Sequence, residues 1–147
     1  MKKLTLIIAI LLAGQVTAET IIVDQAGTGD YTTIQAGISS AVAGDTVLVK
    51  PGVYIEGVHI NKDITVIGSG AEVTTIYYAS VAVQMNTGGA EISSFTIQST
   101  QAITLSGGSE ITIKNCIIIG NASSENYPAV HLSSKGKVLN TVIKDSR

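Results

Sequence analysis

The side chains of this chain that could carry chemistry stand apart from one another. Cys116 is the sole cysteine. It could be a reactive thiol, but within Ile113-Lys114-Asn115-Cys116-Ile117-Ile118-Ile119 it reads as a buried small hydrophobe. His59 and His131 lie on strand-like runs with no further ligand at metal-site spacing, and read as surface or turn residues. Cleaving a glycosidic bond by acid–base chemistry takes two facing carboxylates, and calcium takes several oxygen ligands at once. Glu125 and Asp145 are isolated, and no cluster of either kind is visible. The sequence therefore assigns no catalytic residue and no metal site, and no cofactor is expected. Asn121-Ala122-Ser123 fits a glycosylation sequon, which carries little weight behind a bacterial-looking export segment.

That segment occupies residues 1–18. Lys2 and Lys3 give a positive start, Leu4 to Ala13 an apolar core too short to span a membrane comfortably, and Val16-Thr17-Ala18 a small-residue end. Cleavage after Ala18 is expected, the alternative being an uncleaved N-terminal anchor. No cysteine follows the apolar core, which argues against lipid attachment. The remainder, residues 19–147, is enough for one domain. Losing Lys2 and Lys3 makes it more negative than the −2 of the whole chain, and it has no basic stripe, so a nucleic-acid partner is disfavoured. Charged residues are 14% of the chain, against about 25% in ordinary globular proteins. With abundant Gly, Ser, Thr, Ile and Val, this is the composition of a turn-rich β-protein. One cysteine permits no internal disulfide, so stability must come from stacking.

One helix is expected, over residues 32–43. Thr32 and Gln35 have the spacing of a capping box, Ile34, Ile38, Ala41 and Val42 form one apolar stripe, and Gly44 stands where a helix would stop. Gly37 costs such a helix about 1 kcal/mol relative to Ala, so the stripe must rest on something.

After Gly44 come short β-branched runs: 46–49, 53–60, 64–67, 73–78, 81–85, 91–98, 102–105, 110–119, 129–132 and 137–144. No second helix separates them, which excludes the βαβ route to a parallel sheet and leaves a sandwich, an antiparallel barrel or a solenoid. An internal repeat favours the solenoid. Ser94-Phe95-Thr96-Ile97, Asn115-Cys116-Ile117-Ile118 and Asn140-Thr141-Val142-Ile143 share one pattern at a spacing suited to one coil per repeat. In such a coil Phe95 and Ile97, Cys116 and Ile118, and Thr141 and Ile143 point inward and stack. Asn115 and Asn140 would either form an amide ladder or serve as plain turn residues.

With cap and repeats in place, the chain resembles the right-handed parallel β-helix group of pectin-lyase-like proteins, and its N-terminal part is similar to the pectinesterase family. Gly29-Asp30-Tyr31 with Thr33-Ile34-Gln35 and Ile38 is similar to the family's G-D-Y/F-x-T-I-Q-x-A-I opening. Val49-Lys50-Pro51-Gly52-Val53-Tyr54 with Glu56 and Val58 is similar to its V-x-x-G-x-Y-x-E-x-V strand. Gly37 stands where the family usually has Ala. Ala43-Gly44-Asp45-Thr46-Val47 occurs more widely among exported β-helix proteins and reports fold more than reaction. The resemblance implies that the helix caps the open N-terminal end, and that Asp30, Asp45 and Glu56 bond loops.

Pectinesterases use one aspartate to attack the methyl ester, a second to move protons, and glutamines to steady the oxyanion. Gln101-Ala102-Ile103-Thr104-Leu105 resembles the family's Q-A-V-A-L, which would make Gln101 an oxyanion donor. Where the family continues G-Y-Q-D-T, however, this chain reads Gly120-Asn121-Ala122-Ser123-Ser124, with Ser123 in place of the first aspartate. The D-F-I-F-G and arginine-tryptophan motifs have no counterpart, and the chain has no tryptophan. As it stands the chain is not expected to de-esterify pectin, and Gln101 is expected to be a coil residue.

The expectation is an all-β, right-handed parallel β-helix over residues 19–147. It is N-terminally capped, monomeric, associated with polysaccharide, and secreted, periplasmic or at the cell surface. A last coil at Val138 to Ile143 would expose its stack, so the domain is expected to be incomplete at its C-terminal end. Two function classes fit: a carbohydrate-active protein whose catalytic residues lie in further coils, and a non-catalytic surface or adhesive module that binds glycans or protein partners.

Overall fold

A computed structural model describes residues 17–106, 110–120, 129–133 and 135–145, with only the backbone of Leu132 and Asp145. Most of residues 1–18, expected to be an export signal, and the sequon, Ser123 and Glu125 lie outside these residues. The chain opens with β1 (Thr20–Val23) and α1 (Ile34–Ser40), and then lays down three short strands per coil. The first full coil is β2 (Thr46–Val49), β3 (Gly52–Ile55) and β4 (Val58–Ile60), and the second is β5 (Thr65–Gly68), β6 (Thr74–Tyr77) and β7 (Val81–Met85). Next come β8 (Glu91–Ser93), β9 (Thr96–Ser99) and β10 (Gln101–Leu105), then β11 (Ile111–Lys114), β12 (Ile117–Gly120) and β13 (Val130–Leu132). Last are β14 (Gly136–Leu139) and β15 (Val142–Asp145).

Equivalent strands of successive coils pair in parallel, giving three sheets: β1-β2-β5-β8-β11-β14, then β3-β6-β9-β12-β15, then β4-β7-β10-β13. The result is a parallel β-solenoid of about five turns with one short helix among the described residues. None of its described helices is long and apolar enough to cross a membrane.

Four runs expected as single strands are each broken into two. The break in three of them is a residue in the left-handed region, Ser94 (φ 65°), Asn115 (φ 54°) and Asn140 (φ 45°). Asn tolerates this conformation better than any β-branched neighbour would, so both asparagines are bend residues. The inter-coil ladder continues through the bend, with Ser94 N donating to Lys114 O (3.2 Å) and Asn115 N to Leu139 O (3.1 Å).

Inside the coil, Tyr54, Ile76, Ile97 and Ile118 stack in register, each at most 1% exposed. Burying side chains of this size stabilises by about 1.5–3 kcal/mol each, as an upper bound. Phe95 and Cys116 are buried as the repeat requires, whereas Ile143, next in register after Ile118, is 55% exposed.

The cap differs from its expected form in detail. Thr33, not Thr32, is the N-cap, accepting from Ala36 N at 3.3 Å. The reciprocal half of a capping box is absent because Glu56 supplies a carboxylate from the next coil, taking Ile34 N and Gln35 N at 2.9 Å each. Freed from that role, Gln35 accepts from His59 N (2.7 Å) and donates to His59 O (3.4 Å), standing in for a neighbouring strand at the edge of the third sheet. The helix ends at Ser40, because Ala41 turns extended and the Asp45 carboxylate takes Val42 N. Ile34, Ile38 and Ala41 are buried, while Val42 is 53% exposed and leaves the stripe. The free edge of β1 is blocked by Asp30, whose carboxylate accepts from Ile22 N and whose amide donates to Ile22 O.

Candidate functional site

Alternation along the third sheet turns Val58, Val83 and Ile103 inward on one row and Ile60, Met85 and Leu105 on another, all buried. Between them His59, Gln84, Thr104 and His131 pair across four strands as one polar row. Gln101 begins β10 opposite Val81, half-buried, with its backbone N–H donating to Ser80 O at 3.3 Å.

Both histidines lie on strands of this row, in line with their strand-like runs; His131 is at the surface and His59 is partly buried. His131 is exposed and its Nε2 lies 2.8 Å from Ser133 Oγ. His59 is held through its backbone by Gln35, and its Nε2 is buried without a partner. Three strand steps separate the two rings, roughly 14 Å at the usual spacing, too far to share a metal. No group of three His, Cys, Asp or Glu side chains among the described residues could hold one. Strands β4, β7, β10 and β13 contain no carboxylate. The face can therefore hydrogen-bond a ligand, but its strands offer no carboxylate pair of the kind the aspartate mechanism of ester hydrolysis needs.

A groove of about 250 Å³ opens at the corner between the second and third sheets. Tyr77, Tyr78 and Ala79 come from one coil, Gln98, Ser99 and Thr100 from the next, and Ile119 from the one after. Tyr77 pairs with Gln98 and Gln98 with Ile119, so the groove crosses three coils along one outward row. Both tyrosines are 42% exposed. The Tyr78 ring rests on Gly57, where a Cβ would come within 3.3 Å of two ring carbons. Thr100 Oγ1 is engaged by Ala79 O (3.0 Å) and Ser80 O (3.2 Å). Ser99 is 7% exposed and its hydroxyl has no partner. The sequence had placed Tyr77 and Tyr78 only as the end of a strand, because their neighbours in the groove come from other coils.

The carboxylates assigned to loop bonding behave so. Beyond Asp30 and Glu56, Asp45 accepts from Glu19 N (2.9 Å) and Val42 N (2.8 Å), and these amides, Glu19 first, hold its carboxyl below the usual range. A larger concavity of about 440 Å³ beside β1 includes Glu19, Asp30 and Asp45, the last two already committed to backbone amides. Cys116 is buried, and burial pushes its thiol up.

No protein-family model matches the chain, and no curated protein matches it. Solved structures do. A pectin methylesterase mutant in complex with a hexasaccharide superposes with a TM-score of 0.75 at 18% identity, over 88% of this chain and 50% of that one. Pectin methylesterase from carrot gives 0.71 at 22% identity, over 85% of this chain and 46% of the other. Pectin methylesterase from Erwinia chrysanthemi gives 0.71 at 17%, over 87% and 49%. The chain thus spans about half the length of the structures it matches. At these identities the likeness is one of fold: the chain is a parallel β-helix whose architecture resembles that of the pectin methylesterases.

Proposed function

We propose that this chain belongs to an exported, polysaccharide-associated β-helix protein of pectinesterase-like build, with its de-esterifying residues absent from this chain. The observation that carries the reading is the fold likeness over 88% of the chain to a pectin methylesterase that holds a hexasaccharide. Gln101 supports it from the half-exposed start of β10, beside a polar row able to hydrogen-bond a saccharide. The carboxylate-free strands of the third sheet support the absence of turnover. Residues 1–18 act as the export signal, leaving a secreted, periplasmic or surface-located monomer. Further coils follow Asp145 and cover Val142 and Ile143, which are 50% and 55% exposed; catalytic residues, where the protein has them, lie there. A non-catalytic surface or adhesive module is the second reading, favoured by the same carboxylate-free strands.

The test is a pectin methylesterase and lyase assay on residues 19–147 beside a polysaccharide-binding screen. Binding without turnover is the expected result. Methanol release or unsaturated products would overturn the assignment of catalysis elsewhere, and failure to bind any polysaccharide would overturn the association. Sedimentation of the same sample checks the monomer.

A further inference from the structure

The corner groove between the second and third sheets lies apart from the His59–Gln84–Thr104–His131 row. We infer that it is a binding subsite for one uncharged pyranose ring of a saccharide chain, with Tyr77 and Tyr78 as its aromatic walls. The inference rests on the polysaccharide reading only for the ligand class. The site itself stands on the groove's own chemistry.

A pyranose offers apolar C–H faces, which lie against aromatic rings, and hydroxyls, which exchange hydrogen bonds with amides and hydroxyls. The groove supplies both kinds of partner. Tyr77 and Tyr78 present accessible ring surface, and Gln98, on the outward row between them and Ile119, presents an amide. Tyr78 is also held in place, since its ring is backed by Gly57 and its amide donates to Gln98 O at 3.2 Å. A platform already fixed loses little freedom on binding, which favours affinity from a small contact.

Size and charge narrow the ligand. A space of about 250 Å³ is below the usual range for drug-sized ligands and suits a single ring rather than a whole oligosaccharide. None of its lining residues is charged, and the chain as a whole carries −2, so a uronate carboxylate would enter without a counter-charge. Lys144, paired with Ile119, stands one coil beyond the groove on the same row. It is the cation an acidic saccharide would have to reach.

The test is calorimetric titration of residues 19–147 with cellohexaose, methyl-esterified hexagalacturonate and de-esterified hexagalacturonate. At least one of the two uncharged probes should bind, and more tightly than the de-esterified one. Tyr77→Ala and Tyr78→Ala should each weaken binding about tenfold, as loss of an aromatic contact does, while Tyr78→Phe keeps it and Lys137→Ala, on the first sheet, leaves it unchanged. Unfolding curves of each variant confirm that the coil is intact, and Gln98→Ala gives an independent loss if a tyrosine variant fails to fold. The groove assignment falls if the tyrosine variants bind as the parent does while Gln101→Ala loses binding. It also falls if the de-esterified probe binds best and Lys144→Ala weakens it. Binding of no probe, with none in the wider polysaccharide screen, would overturn this inference and the broader reading together.

Discussion

Glu56 and Lys62 hold opposite ends of the same helix, and both come from the coil beneath it. The Glu56 carboxylate takes the amides of Ile34 and Gln35, while Lys62 Nζ donates to the carbonyls of Ile38 (3.0 Å), Ser39 (2.8 Å) and Ala41 (2.7 Å). A helix of seven residues is too short to persist alone, and its ends carry unpaired amides and carbonyls. Negative charge at its start and positive charge at its end also oppose its dipole in the favourable sense. The cap is therefore fastened electrostatically as well as by the burial of Ile34 and Ile38.

Removing either grip should loosen the cap. Glu56→Ala leaves two first-turn amides without their acceptor and is expected to cost about 1–2 kcal/mol, the size of a lost N-cap. Lys62→Met keeps much of the stem and loses the three carbonyl contacts, for about 1 kcal/mol. Urea unfolding midpoints measure both. Midpoints equal to the parent's for both variants would show that apolar packing alone holds the helix.

Gly37 sits where pectinesterases usually carry Ala, and the reason is steric. A Cβ there would lie 2.7 Å from Val23 Cγ2 and 3.2 Å from Val47 Cγ1, both on β-branched side chains with little freedom to move. In an open helix Gly→Ala gains about 1 kcal/mol. Here Gly37→Ala is expected to lose about 1–3 kcal/mol to overpacking, visible as a lower urea midpoint. A stabilised variant would show that the helix shifts away from β1 and β2 without cost.

The fold was legible because its signals are local or repeated: the Ile34 and Ile38 stripe, Gly44, and three aligned tetrapeptides. What escaped depends on register between coils, which one sequence does not display. The N-cap moved from Thr32 to Thr33 because a carboxylate of the following coil, Glu56, replaced the partner that Gln35 would have been. The bend at Ser94 interrupts a run that keeps its strand-like alternation on both sides, so no break showed there, whereas Asn115 was already open to a turn role. Tyr77, Gln98 and Ile119 meet only when the strands pair, and so the groove was invisible.

Asp45 predicts an acid limb in the stability of the cap. Its carboxyl lies below the ordinary aspartate value in the folded protein and would return to about that value on unfolding. A depressed folded value gives stability that is fully present above the unfolded pKa and is lost as pH falls through the folded one. The loss therefore begins near pH 4 and continues below it. Asp24, lowered by its bonds to the Thr28 hydroxyl and the Ala26 amide, adds to the same limb. Comparing melting temperatures at neutral pH and at about pH 3, Asp45→Asn should be less stable when neutral and should lose less on acidification. An unchanged acid loss would assign the limb elsewhere.

Cys116 should behave as core and not as a reagent. It is 1% exposed, and burial raises its thiol above the ordinary cysteine value. Both effects suppress the thiolate that attacks a disulfide reagent. A colorimetric thiol assay is expected to find almost no reaction in the native protein and one equivalent in denaturant. Rapid native labelling would mean that the fourth coil opens on the timescale of the assay.

Asn115 tests whether the bends limit the solenoid. At φ 54° it sits between β11 and β12 in a conformation that costs most L-residues about 1–2 kcal/mol and a β-branched residue more. Asn115→Gly should stay within about 0.5 kcal/mol of the parent, glycine's ease at positive φ offsetting its greater freedom when unfolded. Asn115→Val should lose about 2 kcal/mol. Because each coil rests on its neighbours, the damage should spread first to β14 and β15, whose stacking residues Val138 and Ile143 are already exposed. Hydrogen exchange resolved along the chain would show faster exchange there than in β2 to β7. Equal stability of the glycine and valine variants would mean that the corner adopts another conformation at little cost.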